Sequence, residues 1–356
     1  MRLLILIAHY FKASQGVSYL GSGDAPIAKI AALNAAIVAL HRYFGPNRSS
    51  LNKDDLQGQS SFTGDVLDIV VMTRREGNLL EHIGIDNRAY SVNYCNCDPE
   101  MLPFEAQRIM HERSEEYDMY AYMEDDLVVD DPAFFSKIAW FAGEFGPRAI
   151  LLPIRYELSS TGLPAKISLS VRLSTDDQAP FRRREAPEIV CGRWNGAYQS
   201  FVRPTNPHAG CYVLTSTQLS DWIASSTFFD RDRSWIGPLE SGATLAVGKE
   251  FAIYMPSTPD PWFLQIEHYG VRLSAAQLQQ GALRGGPLLL ALLESSADIE
   301  SDELHQKMPS ISKAVSASAR RATNEVLLRD ELHDLKNSRS RLIKALAAAY
   351  WRKMRR

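Results

Sequence analysis

The sequence predicts an α/β fold, in which helices cover both faces of a largely parallel sheet. Three observations predict this class. Leu3 to Ala8 is a continuous apolar run, as expected for a strand that is buried on both faces. Apolar residues recur at helical spacing from Pro26 until Gly45-Pro46 ends the pattern. Further apolar runs then alternate with helical stretches, which is typical of parallel α/β sheets.

The remaining elements follow from the same patterns. We expect a loop over the polar stretch 47–63 and irregular excursions over 157–206, with a hairpin around 166–172. Thr215 or Ser216 is expected to cap a helix, because hydroxyl side chains accept hydrogen bonds from the first helical turn. The other strands are predicted at 68–73, 90–94, 119–123, 149–153, 210–214 and 250–254, and the helices at 105–116, from Pro132, and at 215–223.

Composition and charge limit the organisation and the function. The chain has 356 residues and a net charge of -3, so it lacks the basic excess of a nucleic-acid-binding protein. We expect a catalytic domain over 1–275 and a helical region over 276–356. The sequence from Asn337 onwards is basic and contains no acidic residue. It predicts either a helix that binds an anionic membrane surface or a terminal packing arm.

The predicted location is the cytoplasm, with a possible membrane association through the basic tail. The apolar run at the N-terminus is shorter than a signal peptide requires. No apolar run approaches the roughly 18 residues that span a bilayer.

Three acidic residues follow the predicted strand 119–123 directly. They are Glu124, Asp125 and Asp126, and a predicted helix opens at Pro132. Acidic side chains at the exit of a buried strand are costly unless they have a task, and carboxylate oxygens suit a hard divalent cation. Because ligands of such sheets bind beyond the carboxyl ends of the strands, the triplet marks a candidate site.

The segment from Tyr122 to Phe135 resembles the metal-site segment of the N-acetylglucosaminyltransferase I family, whose members have the GT-A fold. The shared features are Glu-Asp-Asp-Leu and the Phe-Phe pair at the following helix start. The resemblance implies a GT-A-like, Rossmann-like mixed sheet and a nucleoside diphosphate-sugar donor. It also implies that Asp126 ligates Mn²⁺ or Mg²⁺, and that Glu124 and Asp125 contact ribose or metal-bound water.

The resemblance suggests further site residues by their order in the chain. His268 matches a late histidine that reaches the metal or the diphosphate. His9 ends the first strand, where a nucleotide base binds, and Arg74 follows the second strand in a position to meet the nucleotide. Gly210 corresponds to a glycine that leaves room for the donor sugar.

Glu240 is the predicted catalytic base, which would remove a proton from the acceptor hydroxyl. It precedes an apolar helical stretch late in the domain, as the base does in inverting GT-A enzymes. Asp230 and Asp232 on the preceding loop are competing candidates.

The sequence therefore predicts an inverting, metal-dependent glycosyltransferase that acts on a glycan or lipid-linked acceptor. A nucleotidyltransferase or another metal-dependent nucleotide enzyme is the alternative, although the early glycines at 16, 21 and 23 lack the Lys-Ser/Thr ending of a P-loop. A GT-A-like binding module without catalysis is a third possibility, against which the intact triplet argues.

Overall fold

The computed structural model describes residues 1–12, 26–51, 58–62, 65–158, 166–168, 173–182, 185–257 and 260–270. The predicted helical region 276–356 and its basic tail therefore lie outside the described residues. The described strands are β1 (Arg2–Ala8), β2 (Asn47–Leu51), β3 (Gly58–Phe62), β4 (Val66–Thr73), β5 (Ser91–Tyr94), β6 (Met119–Glu124), β7 (Leu127–Val128), β8 (Ala149–Leu151), β9 (Ile154–Leu158), β10 (Lys166–Ser168), β11 (Ile189–Trp194), β12 (Ala197–Val202), β13 (Cys211–Thr215), β14 (Ala252–Pro256) and β15 (Gln265–His268).

The helices are α1 (Pro26–Phe44), α2 (Leu102–Glu112), α3 (Phe134–Phe145), α4 (Thr175–Arg182) and α5 (Ser216–Ile223). A late helical segment consists of α6 (Pro238–Glu240), a π-helical turn (Ser241–Leu245) and α7 (Ala246–Gly248). Helix α5 begins with a capping box, in which the Thr215 side chain accepts from the backbone of Gln218 and the Gln218 side chain accepts from the backbone of Thr215.

The central sheet has the strand order β13-β6-β1-β4-β5. Strand β1 is parallel to both β4 and β6, β5 is parallel to β4, and β13 is antiparallel to β6. Every side chain from Leu3 to Ile7 is at most 1% exposed, so both faces of the sheet are covered at β1. The predicted α/β class and its mixed, largely parallel sheet are thus confirmed, and β6 delivers the acidic triplet beside the centre of the sheet.

Two further mixed sheets complete the fold around the site. One has the order β10-β9-β15-β7, in which β15 runs parallel to β9 and antiparallel to β7. The other has the order β11-β12-β14-β8. The first of these sheets matters for function, because β7 follows the acidic triplet and β15 carries His268.

The structure differs from the sequence prediction in the polar segments. The expected loop 47–63 contains the antiparallel pair β2–β3, and the excursion 157–206 contains α4 and the hairpin β11–β12. Strand β10 pairs with the upstream strand β9, and the rest of the predicted hairpin, 169–172, lies outside the described residues. No apolar run marks these polar strands in the sequence, because they form through backbone hydrogen bonds to a neighbouring strand.

Helix α1 is long and apolar enough to cross a membrane by length and composition. The prediction that no segment reaches this length overlooked it, because its polar residues interrupt the apolar run. However, 44% of its most apolar window is buried inside the fold, and a core helix passes the same test. Leu33, Ile37 and Leu40 are fully buried, which is the arrangement of a helix packed on a sheet.

Candidate functional site

The acidic triplet lies at the turn between β6 and β7. Its three carboxylates differ in environment: the side chains of Glu124 and Asp126 are 16% and 22% exposed, whereas that of Asp125 is only 5% exposed. The backbone N–H of Glu124 donates to the carbonyl of Gly210, and the carbonyl of Asp126 accepts from the N–H of Tyr269. The turn is therefore held between β13 and the end of β15, and two of its three acids face a partly open space.

Asp125 is the centre of a buried polar network. Its Oδ2 lies 2.6 Å from Nδ1 of His9, and its Oδ1 lies 2.5 Å from Nζ of Lys29. The Nε2 atom of His9 accepts a hydrogen bond of 3.1 Å from the backbone N–H of Leu79, so Nδ1 carries the proton that His9 donates to Asp125.

This network changes the expected roles of two residues. His9 is completely buried and both of its ring nitrogens are engaged, so the ring has no atom left for a nucleotide base. Asp125 likewise uses both carboxylate oxygens inside the protein, rather than on ribose or metal-bound water. Both residues instead connect four elements through these contacts, namely the ends of β1 and β6, the helix α1 and the loop after β4.

Lys29 is a buried cation beside the triplet. Burial disfavours its charge, but Asp125, Asp126 and Glu124 together raise the pKa of Lys29 above its usual value. Its Nζ atom is also 3.8 Å from Oδ2 of Asp126. Lys29 therefore stays charged and compensates part of the negative charge that the triplet concentrates at one strand end.

The carboxyl group of Glu124 tends to hold a proton. Burial, which is the largest cause, and the negative charges of Asp126 and Glu240 together raise its pKa to about 8. The positive charges of Arg155 and His268 act in the opposite direction. The Oε1 atom of Glu124 is buried and has no hydrogen-bond partner. This atom is available to a cation or to a substrate hydroxyl.

Gly210 faces Glu124 directly. It has φ of +69°, and a Cβ at this position would lie 2.8 Å from Oε2 of Glu124 and 3.0 Å from Cδ1 of Leu127. The space that we expected for a donor sugar at Gly210 is thus filled by the Glu124 side chain. Nearby His208 is 3.9 Å from Oε1 of Glu124, and burial followed by the charge of Arg155 keeps the pKa of His208 well below its usual value.

Asp126 and His268 approach each other from distant parts of the chain. Nε2 of His268 lies 3.6 Å from Oδ2 of Asp126, and Nδ1 of His268 lies 2.8 Å from Oε1 of the fully buried Glu157. Burial opposes a charge on His268, but the hydrogen bond to Glu157 and the charge of Asp126 raise its pKa. Burial likewise opposes the charge of Asp126, yet Lys29, His268 and Arg155 lower its pKa.

The donors present fit a divalent cation with few protein ligands. Oδ1 of Asp126 and Oε1 of Glu124 are buried without hydrogen-bond partners. The 3.6 Å between Asp126 and His268 is short enough for both to contact one ion at about 2.1 Å each. Among the described residues, no group of three or more His, Cys, Asp or Glu side chains is placed to hold a metal. An ion here would take its other ligands from water and substrate phosphates, as Mg²⁺ usually does.

The three candidate bases have different surroundings. Asp230 and Asp232 both pair with Nζ of Lys249, and hydrogen bonds from Lys249 and Ser234 lower the pKa of Asp232 to about 2. A carboxylate with so low a pKa is a poor general base. Glu240 is the last residue of α6. Its negative charge raises the pKa of Glu124, so Glu240 interacts electrostatically with the triplet.

Arg74 lines a cavity of about 260 Å³ at the ends of β4 and β5. The other lining residues are Arg75, Glu76, Tyr94, Cys95 and Asn96, and the guanidinium of Arg75 lies 4.9 Å from the ring centre of Tyr94. Because β4, β5 and β6 all run parallel to β1, their carboxyl ends, and therefore this cavity and the triplet, lie at the same edge of the sheet. Arg74 therefore lies on the edge of the sheet that was predicted for the nucleotide.

Sequence reasoning missed four charged or polar residues of the site: Lys29, Arg155, Glu157 and His208. A signal existed for Lys29, since it stands in line with Leu33 and Ile37 on the apolar face of α1. Arg155 and Glu157 alternate along β9, which would have indicated two charges on one face of a strand. His208 lies two residues before Gly210, and its approach to Glu124 depends on the tertiary structure.

Comparisons with known proteins add little to this geometry. No protein-family model matches the chain, and no curated protein matches it. A solved structure of CMP:2-keto-3-deoxy-manno-octonic acid synthetase complexed with CTP is 11% identical, with a TM-score of 0.25, over 63% of this chain and 78% of that chain. Such values carry no argument about function. The likeness to the N-acetylglucosaminyltransferase I family finds no support here and stays a prediction.

Proposed function

We propose that this chain is a metal-dependent glycosyltransferase, which moves a sugar from a nucleoside diphosphate-sugar to a glycan or lipid-linked acceptor. The observation that carries the proposal is the approach of His268 to Asp126 at 3.6 Å, beside a Glu124 oxygen that has no hydrogen-bond partner. Carboxylates and a histidine that converge at a strand end suit a substrate bound together with a divalent cation.

Asp126 and His268 would hold Mn²⁺ or Mg²⁺, and Glu124 would contact the ion directly or through water. When bound, the ion supplies positive charge that stabilises a departing diphosphate. Glu157 accepts the Nδ1–H of His268 at 2.8 Å, which keeps Nε2 directed towards Asp126. Lys29 and Arg155 add two fixed positive charges to the same site.

The transfer is proposed as a single displacement with inversion. The bond between the anomeric carbon and the phosphate oxygen breaks, and its electron pair stays on the diphosphate. A bond forms between the anomeric carbon and the acceptor oxygen, whose proton passes to the carboxylate of Glu240. Of the three candidate acids, Glu240 suits this role because Asp230 and Asp232 are paired with Lys249.

A donor screen with product analysis tests the function. The protein is incubated with a panel of nucleotide-sugars and Mn²⁺ or Mg²⁺, and the released nucleotide is identified. We expect the released nucleotide to be a nucleoside diphosphate. In calorimetry, Asp126→Asn should weaken the cation-dependent binding of that nucleoside diphosphate at least about tenfold. The matched control is Asp176→Asn, an exposed acid in the first turn of α4, which should leave binding unchanged.

Other outcomes contradict the proposal in different ways. Release of pyrophosphate from a nucleoside triphosphate would indicate a nucleotidyltransferase. Equal nucleotide binding by the wild type and Asp126→Asn would remove the metal role. If no nucleotide binds with either cation, the chain is not a nucleotide-sugar enzyme.

A further inference from the structure

Arg155 lies on the same face of a sheet as the groups that surround His268. It is two residues before Glu157 on β9, and alternate residues of a strand share a face. Its cross-strand neighbour on β15 is Ile266, which in turn shares a face with His268. Nε2 of His268 is 3.6 Å from Asp126. The face of the sheet that carries Arg155, Glu157 and His268 is therefore the face directed towards the acidic triplet.

The guanidinium of Arg155 has no partner among the described residues. Its Nε atom is buried and makes no hydrogen bond. None of the described carboxylates lies within ion-pair distance of it, whereas Lys29, the other cation of the site, is paired with Asp125 at 2.5 Å. A buried donor that is left unsatisfied costs free energy, so such an arrangement favours an anion that arrives from outside.

The positive charge of Arg155 acts on four titratable groups around this space. It favours the ionised forms of Glu124 and Asp126, and it opposes protonation of His208 and His268. These four residues come from β6, the adjoining turn, the segment before β13 and β15. Arg155 therefore lies close enough to these groups to interact with them electrostatically, and the register of β9 and β15 places it on the face that carries His268.

A diphosphate needs more positive charge than one divalent ion supplies. Cleavage of the sugar–phosphate bond adds negative charge to the terminal phosphate, and donors aimed at that charge lower the barrier. A guanidinium offers two parallel N–H groups that match two phosphate oxygens. We propose that Arg155 is a catalytic residue, which binds the terminal phosphate of the nucleoside diphosphate as it departs.

This inference rests on the proposed function and adds a specific contact to it. As the bond from the anomeric carbon breaks, the electron pair stays on the phosphate oxygen, and the N–H groups of Arg155 donate to that phosphate. Arg155 keeps its protons throughout, while the proton of the acceptor goes to Glu240. Because Arg155 contacts the second phosphate, it should contribute to the binding of a nucleoside diphosphate but not to that of a nucleoside monophosphate.

Binding of di- and monophosphates to Arg155 variants tests the contact. UDP, CDP, GDP and ADP, the four matching monophosphates and inorganic pyrophosphate are titrated by calorimetry with Mg²⁺ present. We expect Arg155→Gln to weaken the best diphosphate about 10- to 100-fold and its monophosphate less than about threefold. Arg155→Lys should restore part of the diphosphate affinity, because it keeps the charge without the fork. Should the Gln variant lose its cooperative thermal transition, the comparison rests on the Lys variant.

A second pair of ligands, UDP-glucuronate and UDP-glucose, distinguishes binding of the phosphate from binding of a carboxylate on the donor sugar. If Arg155 instead binds a carboxylate on the donor sugar, its replacement will weaken UDP-glucuronate but not UDP-glucose or UDP, and the proposal falls. Equal loss of mono- and diphosphate binding, or no loss in either variant, also overturns it while the proposed function stands. If the wild type binds none of the nucleotides and no pyrophosphate, the proposed function and this inference fall together.

Discussion

Lys29 illustrates how a single buried charge supports the site. Its side chain is 8% exposed, and its Nζ atom lies 2.5 Å from Asp125, which His9 binds from the other side. A buried carboxylate with two charged or polar partners is stable, whereas the same carboxylate with one partner missing is not. The position of Asp125 between β1, α1 and β6 makes this network a structural part of the candidate site.

We expect Lys29→Met to lower the free energy of unfolding by about 3–5 kcal/mol, because it leaves Asp125 buried without its cation. Urea denaturation measures the change. The control is Arg2→Met at the start of β1, where the pair with Asp118 is half exposed and the loss should stay below about 1 kcal/mol. The double variant Lys29→Met/Asp125→Asn should recover much of the stability; if it is no more stable than Lys29→Met, the pair is not the cause.

At the scale of the element, the junction between β13 and β6 decides the shape of the site. The carbonyl of Gly210 accepts from the N–H of Glu124, and the absence of a Cβ lets the Glu124 carboxylate approach the β13 backbone. The π-helical turn after α6 brings Thr244 within 3.0 Å of His208 on the same side. These short contacts between elements position side chains that are far apart in the sequence.

Gly210→Ala is expected to lower stability by about 1–3 kcal/mol and to weaken cation-dependent nucleotide binding. The reasons are the positive φ of +69° and a Cβ only 2.8 Å from Oε2 of Glu124, which must then move. Thermal unfolding and calorimetry measure the two effects. Gly143→Ala in α3 is the control, because nothing lies within 4 Å of its Cβ and helix propensity favours Ala. Wild-type nucleotide binding in Gly210→Ala would show that the close approach has no functional role.

At the scale of the whole molecule, the site makes stability depend on pH and on cations. Glu124 has a pKa raised from 4.5 to about 8, and the pKa of His268 is also raised. Between the unfolded and the folded pKa, the unfolded chain binds fewer protons than the native protein. The stabilising contribution of each group is thus present at low pH and is lost as the pH rises through the folded pKa.

The ion-free protein should therefore lose about 2 kcal/mol of stability between pH 6 and pH 8 through Glu124. Thermal unfolding in a chelator measures this loss, and Glu124→Gln should reduce it because the amide does not ionise. Mn²⁺ should restore stability most strongly at pH 8, since a bound cation needs the deprotonated carboxylate and the neutral imidazole. A melting temperature that is independent of pH in both proteins would contradict the raised pKa of Glu124.

Local patterns were sufficient for most of the central elements. The apolar run of β1, the helical spacing of α1, the cap of α5 and the acidic exit of β6 were all predictable, because each depends on neighbouring residues. The pairs β2–β3 and β7–β15 were not predictable, because their strands are polar or short and gain their hydrogen bonds from a distant partner.

The fold class and the position of the acidic triplet follow from the amino-acid sequence alone, since strand exits and helix starts depend on local periodicity and composition. The role of each acid depends on the three-dimensional fold: Asp125 binds His9 and Lys29, whereas Glu124 and Asp126 each keep one oxygen without a hydrogen-bond partner. It also brought His268, Glu157 and Arg155 to the triplet through the β9–β15–β7 sheet. The physical reason is that burial, hydrogen bonding and charge compensation depend on which distant strands are adjacent, and local spacing does not encode this.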